Sequence, residues 1–126
     1  IPKQKAAEVW MTELWQRRIG RLSTQVLSEF YVTVTQKLSP GLSVDEAREE
    51  VAEFFVWQPI CITPSVITKS FNIQSRYRFS YWDCLILTAA MEADCRYVIS
   101  EDMQHDQKID DLTILDPFRI TLEKIV

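Results

Sequence analysis

Glycine is nearly missing from this chain: Gly20 and Gly41 are the only two. Their scarcity excludes the glycine-rich loops that cradle phosphates, and with 47% of residues apolar it argues against low-complexity disorder and repeats. Histidine is scarcer still, so a triad or dyad built on imidazole would rest on His105 alone. Its polar neighbours, Gln104 and Asp106, mark it as a surface or supporting residue. The three cysteines, Cys61, Cys84 and Cys95, are odd in number, widely spaced and set among apolar residues. Without a Cys-x-x-Cys or Cys/His cluster they suit buried free thiols in a reducing compartment better than disulfides or zinc. No apolar run has the length of a membrane span and no signal peptide is visible, which predicts a soluble, cytoplasmic protein. An excess of positive charge is absent too: the formal net charge is -4, so a polyanion would have to be held by a local basic patch or a metal.

The 126 residues predict a single domain spanning 1–126 with its own hydrophobic core. Its most informative stretch begins at Ser80-Tyr81-Trp82-Asp83. The uncharged run Leu85 to Met91 that follows predicts a helix inside the fold, so that an acid at its lip is held rigidly. Beyond it, Tyr97-Val98-Ile99-Ser100 reads as a strand with the acids Glu101 and Asp102 at its carboxyl end.

Elsewhere, Ala6, Ala7, Trp10, Met11 and Leu14 predict an amphipathic helix over Lys3 to Arg18, with Glu13 and Arg17 as an exposed pair one turn apart. Leu22 to Leu27 reads as a short strand. Glu29 to Leu38 fits two periods, alternation in Phe30, Val32 and Val34 or one helix face in Leu27, Tyr31, Val34 and Leu38. Pro40-Gly41 predicts a turn, and Ser43-Val44-Asp45-Glu46 a capping box for a helix whose Val44, Ala47, Val51, Phe54 and Phe55 face the core. Ile60 to Ile62 reads as another strand, followed by Thr63 as N-cap and Pro64 at the first position of a helix running toward Tyr77. A polar loop over Glu101 to Asp111 and a last strand, Leu112 to Leu115, complete the chain.

Short apolar strands alternating with helices predict an α/β fold, a three-layer sandwich with a central, mainly parallel sheet. In such a fold the carboxyl ends of the strands share one edge, and that edge would gather Glu29, Asp83 and Asp102. Carboxylates clustered without histidine or thiolate suit a hard cation, Mg²⁺ or Mn²⁺. Such a cation polarises a phosphoryl oxygen and acidifies its bound water, so phosphodiester hydrolysis needs no histidine or serine nucleophile. Each acid also has an ordinary structural reading: Asp83 three residues after Ser80 suits a helix start, and Asp102 suits a turn. A non-catalytic binding module in which the acids only cap helices is therefore the competing function. A receiver-like phosphoacceptor domain also carries acids on a sheet edge, but no lysine at the end of a late strand supports it.

Three separated stretches, Ser23-Thr24-Gln25-Val26-Leu27-Ser28-Glu29-Phe30, Ser80-Tyr81-Trp82-Asp83-Cys84-Leu85-Ile86 and Ser100-Glu101-Asp102-Met103-Gln104-His105, together resemble the successive motifs of PIN-domain ribonucleases, in particular the VapC-like toxins of toxin–antitoxin pairs. The resemblance implies that Glu29, Asp83 and Asp102 are the catalytic and metal-binding acids, with Ser100 as a supporting hydroxyl. It implies that Glu29 to Leu38 is helical. It also implies a further acid on a strand ahead of the first helix, which this sequence does not contain, and a glycine where Asp106 stands. The expected partners are an RNA substrate, a cognate antitoxin and a second copy in a homodimer. Arg76 and Arg78, with Lys69 further back, are the candidate phosphate contacts, their alternative being ordinary solvated helix charges.

Overall fold

The computed structural model describes residues 3–17 and 20–124. The chain divides into two compact units, a central one, Arg21–Ala93, and a terminal one formed by Ile1–Gly20 with Asp94–Val126.

The central unit is helical: α2 (Thr24–Val32), α3 (Val44–Phe54), α4 (Pro64–Arg76) and α5 (Tyr81–Glu92) follow α1 (Lys3–Arg17) of the terminal unit. Each of the four starts on a hydroxyl side chain that accepts from the backbone two or three residues into the helix: Ser23 from Val26, Ser43 from Glu46, Thr63 from Val66 and Ser80 from Asp83. At α3 the box is reciprocal, because the Glu46 side chain accepts from the Ser43 amide at 3.2 Å. Hydrogen bonds from Ser43, its side chain first, hold the Glu46 carboxyl below its ordinary pKa. Pro64 occupies the first turn of α4, where its missing N–H costs nothing.

After α2 the helix widens into a π turn, Thr33–Lys37. The chain then doubles back so tightly that a Cβ on Gly41 would lie 2.3 Å from the Val34 carbonyl oxygen, the atom that accepts from the Leu42 amide at 2.9 Å. Only glycine permits that approach. α4 and α5 pack against each other. As the charge-free run predicts, α5 buries Cys84, Leu85, Leu87, Thr88, Ala89 and Ala90. Its one buried hydroxyl, Thr88, donates to the Cys84 carbonyl at 2.7 Å, so no polar group is left unpaired there.

The terminal unit holds the three strands found among the described residues: β1 (Tyr97–Ile99), β2 (Lys108–Ile109) and β3 (Leu112–Leu115). The sheet order is β1-β3-β2, with β1 parallel and β2 antiparallel to β3. Ile109, Leu112, Ile114 and Leu115 are buried. Trp10 of α1, also buried, donates its indole N–H to the Pro117 carbonyl at 2.8 Å. The Glu13–Arg17 pair forms as expected, at 3.0 Å.

This architecture overturns the three-layer sandwich. Among the described residues the fold is mostly helical with one small mixed sheet, and none of them forms a central parallel sheet. Two expected strands account for the difference. Leu22 to Leu27 and Ile60 to Ile62 meet only in a single parallel bridge, Ser23 to Ile60. There the Thr24 amide donates to the Ile60 carbonyl and the Ile60 amide to the Leu22 carbonyl. The Ser23 hydroxyl then captures the Val26 amide and turns the backbone into α2 before a ladder can extend. The helical alternative for Glu29 to Leu38 is the one that forms. Val44 and Phe55, assigned to the core face of α3, are exposed, whereas Ala47 is fully buried. The loop over Glu101 to Asp111 contains β2. Of the thiols, Cys84 is buried, Cys95 half-buried and Cys61 exposed, none in a disulfide, so burial holds for one and not for Cys61. The expected extension of α1 to Arg18 falls outside the described residues. No described helix is long and apolar enough to cross a membrane.

Candidate functional site

Glu29 lies in α2 and not after a strand, so the sheet-edge argument does not place it. A different device does. Gln25, one turn earlier on α2, donates through Nε2 to Glu29 Oε1 at 3.2 Å and to the Trp82 carbonyl at 3.3 Å. Both partners are acceptors, so the amide can face them only with its nitrogen. Gln25 thereby ties the Glu29 carboxylate to the first turn of α5, where Asp83 follows Trp82. Gln25 Oε1 is buried and has no hydrogen-bond partner among the described residues.

Asp83 is half-buried and its backbone amide donates to Ser80 Oγ at 3.1 Å. The capping role therefore belongs to Ser80, and the Asp83 carboxylate lies in the first turn, where the helix dipole favours negative charge. Burial pushes the Cys84 thiol above its ordinary pKa, and the adjacent Asp83 charge adds to the effect. Glu29 is exposed, and neither it nor Asp83 forms an ion pair with another described residue.

Asp102 and Ser100 belong to the terminal unit. Asp102 is exposed, just beyond the carboxyl end of β1 as expected. Ser100 holds this turn: its amide donates to the Leu115 carbonyl at 2.9 Å and its Oγ accepts from the Met103 amide at 3.3 Å. His105 has a structural task in the same loop, its Nδ1 accepting from the Asp116 amide at 2.9 Å. Neutral His105 therefore carries its proton on Nε2, which lies 3.4 Å from Asp106 Oδ2. Asp106, standing where the resemblance implies glycine, adopts the left-handed conformation with φ 65°, a backbone state glycine favours.

The predicted acids are thus shared between the units: Glu29 and Asp83 in the central one, Asp102 in the terminal one. Within either unit, the described residues include no group of three or more His, Cys, Asp or Glu side chains placed to hold a metal. What the central unit does offer is oxygen chemistry, the carboxylates of Glu29 and Asp83, a donor type that fits Mg²⁺ or Mn²⁺ and not zinc.

Of the predicted cations, Arg76 and Arg78 are exposed at the end of α4 and in the turn to α5. Arg76 donates to Asn72 Oδ1 at 3.1 Å and to the Tyr77 hydroxyl at 3.2 Å, and its guanidinium lies 5.1 Å from the Tyr77 ring centre. Lys69 instead bonds the Glu92 carboxylate across the α4–α5 pair, which satisfies the ordinary reading for that residue. A cleft of about 410 Å³ between α2 and α3 is walled mainly by Leu27, Tyr31, Val32, Val51 and Phe55, and none of the predicted site residues lines it.

Sequence reasoning named Glu29 and Asp83 but missed Gln25, the residue that relates them. The four-residue spacing of Gln25 and Glu29 was the available signal, since such pairs share a helix face. A scan of protein-family models finds no match to this chain, and a search of curated proteins finds no relative.

Proposed function

We propose that the protein is a divalent-cation-dependent endoribonuclease that hydrolyses RNA phosphodiester bonds in the cytoplasm and acts, as a homodimer, as the toxin of a toxin–antitoxin pair. The observation that carries this reading is the Gln25 bridge, which couples the Glu29 carboxylate to the turn of α5 bearing Asp83. The motif resemblance to PIN-domain ribonucleases supports it, although the fold is mostly helical and not the expected three-layer sandwich. Glu29 and Asp83, both in the central unit, would hold Mg²⁺ or Mn²⁺; a role for Asp102 rests on the motif resemblance alone. When bound, the cation supplies charge for the phosphoryl oxygen and a more acidic water. The chain's own residues have simpler tasks. Gln25 orients Glu29, Ser80 fixes the helix start beneath Asp83, and Arg76 and Arg78 attract phosphate toward a locally acidic surface.

A second reading, a non-catalytic protein-binding module, draws on the division of the acids between two units and on the lack of a three-donor group within either. The two are separated by incubating labelled RNA with the purified protein and Mg²⁺ or Mn²⁺, beside an EDTA control. The nuclease reading expects cation-dependent fragments that Asp83→Asn and Asp102→Asn abolish. Equal cleavage by those variants, or none by the parent protein, rejects it in favour of the binding module.

A further inference from the structure

His105, the only histidine of the chain, stands in a loop of the terminal unit that leaves β1 at Ser100 and returns at Asp106. Both ends of the loop are tied to β3 by backbone, the Ser100 amide donating to the Leu115 carbonyl at 2.9 Å and the Asp106 amide to the Ile114 carbonyl at 2.8 Å. Between these ties Ser100 Oγ bonds within the loop, to the Met103 amide, whereas His105 reaches out of it, Nδ1 accepting from the Asp116 amide at 2.9 Å. That bond has a definite polarity. A backbone amide only donates, so Nδ1 must keep its lone pair, and only the neutral ring protonated on Nε2 can hold it. An imidazolium carries N–H on both nitrogens and would set one donor against another.

On the other side of the ring Nε2 lies 3.4 Å from Asp106 Oδ2, a partner that gains when the ring is positive. The two neighbours therefore favour different protonation states, the Asp116 amide the neutral ring and the Asp106 carboxylate the charged one. Exposure separates their strengths: the imidazole is 18% exposed and Asp106 73%, so the ion pair is largely screened while the amide bond is sheltered. The remaining charges are engaged or in solvent. Asp116 accepts from the Phe118 amide at 2.9 Å and lies 3.9 Å from Arg119 Nε. α1 meets this segment where Trp10 donates to the Pro117 carbonyl, and its Glu13 and Arg17 pair with each other. Glu101 and Asp102 in the loop, Lys108 of β2, and Asp110 and Asp111 in the turn to β3 are exposed.

We infer that His105 is a pH-sensitive latch: neutral, it fastens the Glu101 to Gln104 turn to the end of β3 through the Asp116 amide, and protonated, it releases that amide and pairs with Asp106 instead. The turn on which Asp102 stands is fastened at about pH 8 and freed at about pH 5, the two sides of the range in which histidine changes charge. The latch needs neither a cation nor RNA and so stands apart from the ribonuclease reading.

The test is NMR of the ¹⁵N-labelled chain between about pH 8 and about pH 5. At the upper limit His105 is expected as the Nε2–H tautomer. As it gains a second proton, the Asp116 amide is expected to shift with the same midpoint. Its protection against hydrogen exchange, corrected for the intrinsic effect of pH, should fall by about fivefold, the effect of losing one hydrogen bond. His105→Asn supplies an acceptor oxygen that does not titrate and should keep the Asp116 protection constant, a rescue that a merely space-filling role would not show. Asp106→Asn removes the anionic partner, so less of the turn should be released at the acid limit. An Nδ1–H tautomer at the upper limit, a His105 that stays neutral throughout, or an Asp116 amide unmoved while His105 titrates overturns the latch. So does a His105→Asn protein that loses Asp116 protection as the parent does, since another group is then responsible. Equal release in Asp106→Asn overturns the exchange of partners. Unfolding of the whole domain at the acid limit, seen in a thermal melt, overturns the latch as well, because the release must be local.

Discussion

The Gln25 amide donates to the Glu29 carboxylate at 3.2 Å and, with the same nitrogen, to the Trp82 carbonyl, so that one side chain links two helices far apart in sequence. Replacing it separates positioning from stability. Gln25→Ala removes two hydrogen bonds near the surface, worth roughly 1 kcal/mol each at most, and so should lower the melting temperature little. Glu29 would lose its anchor, and Mn²⁺ affinity is expected to fall by about tenfold, as for residues that orient metal ligands. A large loss of stability with unchanged cation affinity would mark Gln25 as purely structural.

Ser23 decides between strand and helix for its segment. Its hydroxyl accepts from the Val26 amide at 3.2 Å, and its backbone remains extended where it bridges Ile60. Ser23→Ala should cost about 1 kcal/mol in urea unfolding, the usual value of an N-cap. Ser23→Val discriminates further. Were this segment a strand, valine would be neutral or favourable; as a helix cap it should be destabilising by at least as much as alanine.

The same residue shows where the sequence was readable and where it was not. Hydroxyl caps at Ser43, Thr63 and Ser80 announced three helices, the charge-free run announced that α5 is buried, and β1 and β3 followed from short apolar runs. Ser23 is the same type of residue in the same role, yet the apolar pattern around Leu22 and Leu27 suits a strand equally well, because two apolar positions do not define a period. That ambiguity, with the expected strand at Ile60 to Ile62 that forms only a single bridge, produced the central sheet that is not there and placed Glu29 on its edge. Asp102 was placed correctly after its strand; the relation of Glu29 to the start of α5 depends on a long-range amide contact that no local pattern encodes. Val44 and Phe55 illustrate the same limit, since helical spacing names a face but not its edges.

Asp106 is held at φ 65°, where a side chain is strained and glycine is not. Asp106→Gly should therefore be tolerated, with a change in stability within about 1 kcal/mol. Asp106→Val, β-branched and unable to bond locally, should lose about 1–2 kcal/mol. Equal melting temperatures for the two variants would contradict the backbone assignment.

The thiols give a pH-dependent test. Cys61 is exposed, whereas Cys84 is fully buried with its thiol pushed up by burial and by Asp83. Iodoacetamide should modify Cys61 in the native protein and reach Cys84 only on unfolding. Because the folded state disfavours the Cys84 thiolate, its contribution to stability is fully present below the unfolded thiol's pKa, about 8.5, and is lost as pH rises from there toward the folded value. Cys84→Ala should remove that part of the alkaline decline. Rapid native labelling of Cys84 would contradict its burial.

The account turns on whether Glu29 and Asp83 act together on a cation. Calorimetric titration with Mn²⁺ of the parent protein, Glu29→Gln and Asp83→Asn measures this most directly. The expected result is saturable binding to the parent that either substitution weakens by about tenfold or more, since each removes a charged oxygen ligand. Unchanged binding in both variants, or none in the parent, would contradict it.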